Sequence, residues 1–112
     1  MELLTDQSLY RAVTKCQSEY NYSVVVIANS MKQRDFVFKE LCSIDHSEHA
    51  YYLRRVNYIT GSNITVLAAD TKNMCGRRAD LVLLDPDLFS ADTLPVFRAM
   101  ETRNKYFKTQ KE

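Results

Sequence analysis

The seven residues Tyr22-Ser-Val-Val-Val-Ile-Ala28 limit what this chain can become more than any other feature. A β-branched run without polar alternation suits a strand covered on both faces, as in the parallel sheets of α/β proteins. Such a strand needs helices beside it, and the flanking sequence supplies them. Upstream, Leu9, Val13, Cys16 and Tyr20 recur at steps of four, three and four, which predicts a helix from Asp6 to about Tyr20. Downstream, Asn29 and Ser30 end the strand, and Ser30 with Gln33 has the form of a capping box. A second helix is expected to run to about Ile44. Its buried stripe would be Phe36 or Val37, then Leu41 and Ile44, with Lys32, Arg34, Lys39 and Glu40 toward water.

Past the second helix the pattern changes. Two strand-like runs, Tyr51 to Ile59 and Ile64 to Ala69, flank Thr60-Gly61-Ser62-Asn63, whose glycine and asparagine tolerate the positive φ of a tight turn. This predicts an antiparallel hairpin. A polar stretch from Asp70 to Arg78 leads into a second buried strand candidate, Ala79 to Asp85. Pro95, Val96, Phe97, Met100, Tyr106 and Phe107 support a last helix, with proline tolerated in its first turn. The fold class expected is therefore α/β: a three-layer sandwich with a mixed, mainly parallel sheet that carries an antiparallel hairpin. At 112 residues the chain is read as a single α/β domain spanning 1–112, with a tail from about residue 105 expected to fray.

Charge and cysteine usage narrow the function classes. The formal net charge of +1 gives no global field to draw the molecule onto nucleic acid or an anionic membrane, so such binding would need local patches. Cys16, Cys42 and Cys75 are an odd number without CxxC spacing, and the first residues carry no leader-like pattern. The longest apolar run, Val24 to Ala28, is too short to span a bilayer. These features point to a reduced, cytoplasmic protein without membrane association.

The order of buried strand, helix, hairpin and then Thr71 to Asp85, reading TKNMCGRRADLVLLD, resembles the middle of the P-loop ATPase core of phage terminase large subunits and related helicases. In that family an arginine-bearing loop leads into an apolar strand ending in the Walker B aspartate. The resemblance implies that Asp85 occupies the magnesium-binding position and that Arg77 and Arg78 form the basic loop. Departures are as informative. The chain has no GxxxxGK[ST] stretch to cradle phosphates, and Pro86 stands where the family has its catalytic glutamate. The likeness thus implies a degenerate core that does not hydrolyse nucleotide.

Candidate sites divide into metal, nucleophilic and binding classes. Asp80, Asp85 and Asp87 could hold magnesium where open α/β sheets place ligands, though Asp-Pro-Asp is equally a strand exit. Cys42, His46 and His49 form a Cys-x3-His-x2-His group that could supply zinc ligands with Cys75, against a plain polar loop with Cys42 packed as a hydrophobe. Nothing resembles a nucleophile with its base, and the acidic-x-Lys of metal-dependent nucleases does not follow Asp87. Arg54 and Arg55 among Tyr51, Tyr52 and Tyr58, together with Arg77 and Arg78, have the composition of a base-stacking surface or of a protein interface. The basic residues Arg98, Arg103, Lys105, Lys108 and Lys111 read as a solvated helix face. The function expected is a non-catalytic binding or adaptor protein without a cofactor, a viral (phage) accessory protein that modulates a host or viral protein. The alternative is a nucleotide- or nucleic-acid-binding protein using Asp85, Arg77, Arg78 and magnesium. A homo-oligomer is compatible with either.

Overall fold

In the computed structural model, residues 1–44, 48–50, 54–69, 78–90 and 93–101 are described, 48–50 by their backbone alone. Four strands run parallel: β1 (Glu2–Leu3), β2 (Ser23–Ala28), β5 (Asn63–Ala68) and β6 (Leu81–Leu84). Two short strands, β3 (Glu48–Ala50) and β4 (Arg55–Asn57), add an antiparallel extension, giving the order β1-β6-β2-β5-β4-β3. The expected α/β class with a mixed, mainly parallel sheet is what forms. The Val-Val-Val-Ile run lies near the middle, hydrogen-bonded to β6 on one side and β5 on the other.

Because side chains alternate along a strand, this run feeds two cores. Val24 and Val26 join Val56, Ile64, Val66 and Leu83 beneath α1 (Asp6–Ser18) and α2 (Met31–Ile44). Val25 and Ile27 join Leu67, Val82 and Leu84 beneath α3 (Leu94–Met100) on the opposite face. The placement follows from handedness. The crossovers β1 to β2 and β2 to β5 advance across the sheet in the same direction, so right-handed connections put α1 and α2 on one face. The chain then returns to β6, and the helix that follows lies on the other.

Helix boundaries follow local chemistry. Thr5 caps α1 reciprocally with Ser8: Thr5 Oγ1 accepts from the Ser8 N–H (3.0 Å), and the Thr5 N–H donates to Ser8 Oγ (2.8 Å). Helix α1 buries Leu9, Ala12, Val13 and Cys16 but stops at Ser18, so Tyr20 lies beyond it and is exposed. In α2 the buried residues are Val37, Phe38 and Leu41, which resolves the register in favour of Val37 and leaves Phe36 63% exposed. Phe97 and Met100 anchor α3, whereas Val96 faces solvent. Tyr106, Phe107 and the expected frayed tail lie outside the described residues.

Two strands were not anticipated. β1 has only two residues and pairs with Leu83 and Leu84; the next N–H of β6, that of Val82, is taken by Glu101 Oε2 (3.0 Å) instead. The other Glu101 oxygen pairs with the Met1 α-amino group at 2.6 Å. β3 falls in a polar stretch that reads as loop, because three residues whose partner is one strand carry no hydrophobic period.

The amino edge of the sheet is locked by one turn. Gly61 has φ +83°, which side-chain-bearing residues rarely adopt, and a Cβ there would lie 2.5 Å from Asn21 Oδ1 and displace that side chain. Buried Ser62 donates to the Glu19 carbonyl (2.6 Å) and accepts from the Tyr22 N–H (2.9 Å), joining the end of α1, the start of β2 and the hairpin. Ser62→Ala strands both backbone groups and is expected to cost about 1–3 kcal/mol. Ser18→Ala, on the exposed end of α1, is expected to stay within about 0.5 kcal/mol of wild type in the same denaturant titration.

Candidate functional site

Helix α2 leaves the carboxyl end of β2 on one face of the sheet, while the chain after neighbouring β6 goes to the other. Adjacent parallel strands with divergent connections open a crevice at their carboxyl ends, where ligands of doubly wound sheets bind. Here the crevice is bordered by Asn29, Ser30 and Gln33 from the β2–α2 junction and by Asp85 and Asp87 after β6.

Asp85 is only 4% exposed, and its carboxylate is already engaged. Oδ2 accepts from Gln33 Nε2 (2.5 Å), and Oδ1 accepts from the Asp87 N–H (2.9 Å), capping the 3-10 turn Pro86–Leu88. Gln33 completes a bridge: its Oε1 accepts from the Asn29 N–H (2.7 Å) while its own N–H donates to Ser30 Oγ (3.2 Å). The expected cap therefore forms, with the return bond going to Asn29 rather than Ser30. Asp87 Oδ2 accepts from Asn29 Nδ2 (3.2 Å). Asp85 thus holds β6, the 3-10 turn and the start of α2 together.

The three aspartates do not converge. Asp80 lies at the opposite end of β6, where Oδ2 accepts from the Ser23 N–H (2.8 Å). Among the described residues no group of three His, Cys, Asp or Glu side chains is placed to hold a metal ion. Exposed Arg78 likewise precedes β6, separated from Asp85 by the strand's four residues, roughly 13 Å at 3.3 Å each. Arg77 and Cys75 lie outside the described residues.

Beside Asp85, where α1 and α2 begin, lies a pocket of about 150 Å³. Leu4, Leu9, Val37 and Phe36 give it apolar walls, and Asp6, Glu40 and Asp85 give it three carboxylates with no lysine or arginine among the described lining. None of the three has an ion-pair partner among the described residues. Asp6, in the first turn of α1, also offsets the positive end of that helix.

Of the hairpin's candidate binding residues, Arg54, Arg55 and Tyr58 fall among the described residues. Tyr58 is 6% exposed and belongs to the core beneath α1 and α2, so it offers no face to a partner. Arg54 sits at φ +51° and its Nε donates to Asp35 Oδ1 on α2 (2.9 Å). Arg55 points to the other side of the sheet, where its Nε donates to Thr65 Oγ1 (2.9 Å). Tyr51, Tyr52 and His46 lie outside the described residues, as does the side chain of His49. Cys42 is half-buried against the α1–α2 core, and burial raises its thiol pKa, which opposes the thiolate form that zinc requires.

No family model, no curated protein and no solved structure matches the chain. The sequence marks Asp85 as a strand-end carboxylate, but Leu4, Asp6 and Glu40 come from separate elements and share no motif with it.

The Arg54 guanidinium, with that of Arg34, holds the Asp35 carboxyl below its ordinary value. A depressed folded pKa means the pair's contribution is present above the unfolded carboxylate range and is lost as pH falls through the folded value. In Arg54→Ala the Asp35 side-chain carbon resonance is expected to titrate at higher pH than in wild type. An unchanged titration would show that Arg54 is not committed to Asp35.

Proposed function

We propose that this chain is a non-catalytic protein-binding module, an adaptor, whose docking site is the pocket between α1 and α2 at the carboxyl edge of the sheet. The observation that carries this reading is the pocket's size and lining. Small-molecule and cofactor sites occupy about 300–1,000 Å³, and this one holds about 150 Å³. A cavity of that order accepts a group the size of benzene, which is one amino-acid side chain and not a nucleotide. Exposed Phe36 at its wall is the kind of aromatic around which protein interfaces concentrate binding energy.

A nucleotide or nucleic-acid ligand finds less support at this edge. Phosphates would face Asp6, Glu40 and Asp85, and like charges at short range repel. The oxygens of Asp85 that would take magnesium already accept hydrogen bonds from Gln33 and Asp87.

A random displayed peptide library selected on the wild-type chain tests the proposal, with each enriched peptide re-measured on Phe36→Ser. Because Phe36 is exposed, this variant is expected to keep the wild-type unfolding midpoint. Saturable binding that weakens about tenfold or more, near 1.4 kcal/mol, supports the module. Enriched peptides indifferent to Phe36→Ser, or a saturable rise in melting temperature with magnesium nucleotide or DNA, would overturn it.

A further inference from the structure

Resting on the protein-binding reading just given, we infer that the side chain this pocket receives is an arginine of the partner. Charge complementarity is the first reason. Three carboxylates without a cationic partner among the described residues surround a space large enough for one side chain. An acidic or phosphorylated side chain would add like charge to that rim, and a purely apolar one would desolvate the carboxylates without pairing them.

The lining chooses between cations. Leu4 and Leu9 offer apolar contact along a methylene stem, which basic side chains bury while keeping the charged head at a polar rim. At the wall, Phe36 presents an aromatic ring beside the carboxylates. A guanidinium is planar, stacks on aromatic faces and is less strongly hydrated than an ammonium, so it gains from both ring and carboxylates at once. Lysine offers a point charge and loses the stacking. Asp85 contributes charge from below while its oxygens stay bonded to Gln33 and Asp87, leaving the exposed carboxylates of Asp6 and Glu40 as direct acceptors.

Acetylated and amidated pentapeptides Ala-Ala-Xaa-Ala-Ala, with arginine, lysine, citrulline or norleucine at Xaa, test this by two-dimensional amide NMR on the full chain. The arginine peptide is expected to shift the amides of Asp6, Gln33 and Glu40 saturably, with a Kd on the order of 1 mM. Citrulline keeps the shape and loses the charge, and is expected to bind about tenfold more weakly; lysine should fall between. Glu40→Gln, an exposed substitution, is expected to weaken the arginine peptide about threefold and to leave the norleucine peptide unchanged. Citrulline or norleucine binding as tightly as arginine would overturn the arginine assignment while the adaptor reading stands, since that rests on the Phe36→Ser comparison. Lysine binding more tightly than arginine, shifts confined to the amino edge, or no shifts at all, would also overturn it.

Discussion

Burial of β2 on both faces is the constraint from which the rest of the structure follows. Among the described residues, α1 and α2 cover Val24 and Val26, and α3 covers Val25 and Ile27. The strand therefore requires a layer on each side, and each fully buried Val or Ile contributes about 1.5–3 kcal/mol relative to exposure. Its parallel neighbours β5 and β6 are set by the same demand, because parallel strands joined by right-handed crossovers leave the helices where that cover is needed. The divergence of the chain after β2 and after β6 is a by-product of covering both faces. It is also what opens the crevice at the carboxyl edge.

What fills that crevice decides its chemistry. An aspartate at the end of a buried strand next to a helix start is a position from which a metal or phosphate could be held. In this chain Gln33 reaches back from the first turn of α2 to Asp85, and the Asp87 N–H takes the other oxygen. Both contacts draw β6, the 3-10 turn and α2 together, and the space remaining lies to one side, between the helices. Glycine-free Asn29-Ser30 contributes as well: with side chains at the junction, the backbone bonds to its own cap rather than cradling an anion.

Long-period features of the fold were legible in the sequence, and short or convergent ones were not. The Val-Val-Val-Ile run, the Leu9–Val13–Cys16 stripe and the Gly61 turn each carry a local signal with one physical meaning, and each appears where expected. β1 and β3 are too short for a period of two to register, and the polar composition of Glu48-His49-Ala50 reads as loop. Tyr20 and Phe36 fit helical spacing but fall, respectively, past the end of α1 and one position off the buried face of α2. Where the hairpin's side chains go is set by a different kind of constraint. Composition puts arginine and tyrosine together in the hairpin, but only tertiary packing sends Tyr58 into the core, Arg54 to Asp35 and Arg55 to Thr65. The pocket joins residues up to 81 positions apart, Leu4 and Asp85, which no local pattern could anticipate.

Asp85 joins β6 to α2 through Gln33 and to the 3-10 turn through the Asp87 N–H, as a clamp between these elements. A double-mutant cycle on unfolding free energy, with Gln33→Ala and Asp85→Ala measured with and without magnesium, tests it most directly. A clamp predicts a favourable coupling of about 1–3 kcal/mol that magnesium leaves unchanged. Coupling near zero, together with a magnesium-dependent stabilisation that Asp85→Ala abolishes, would contradict it.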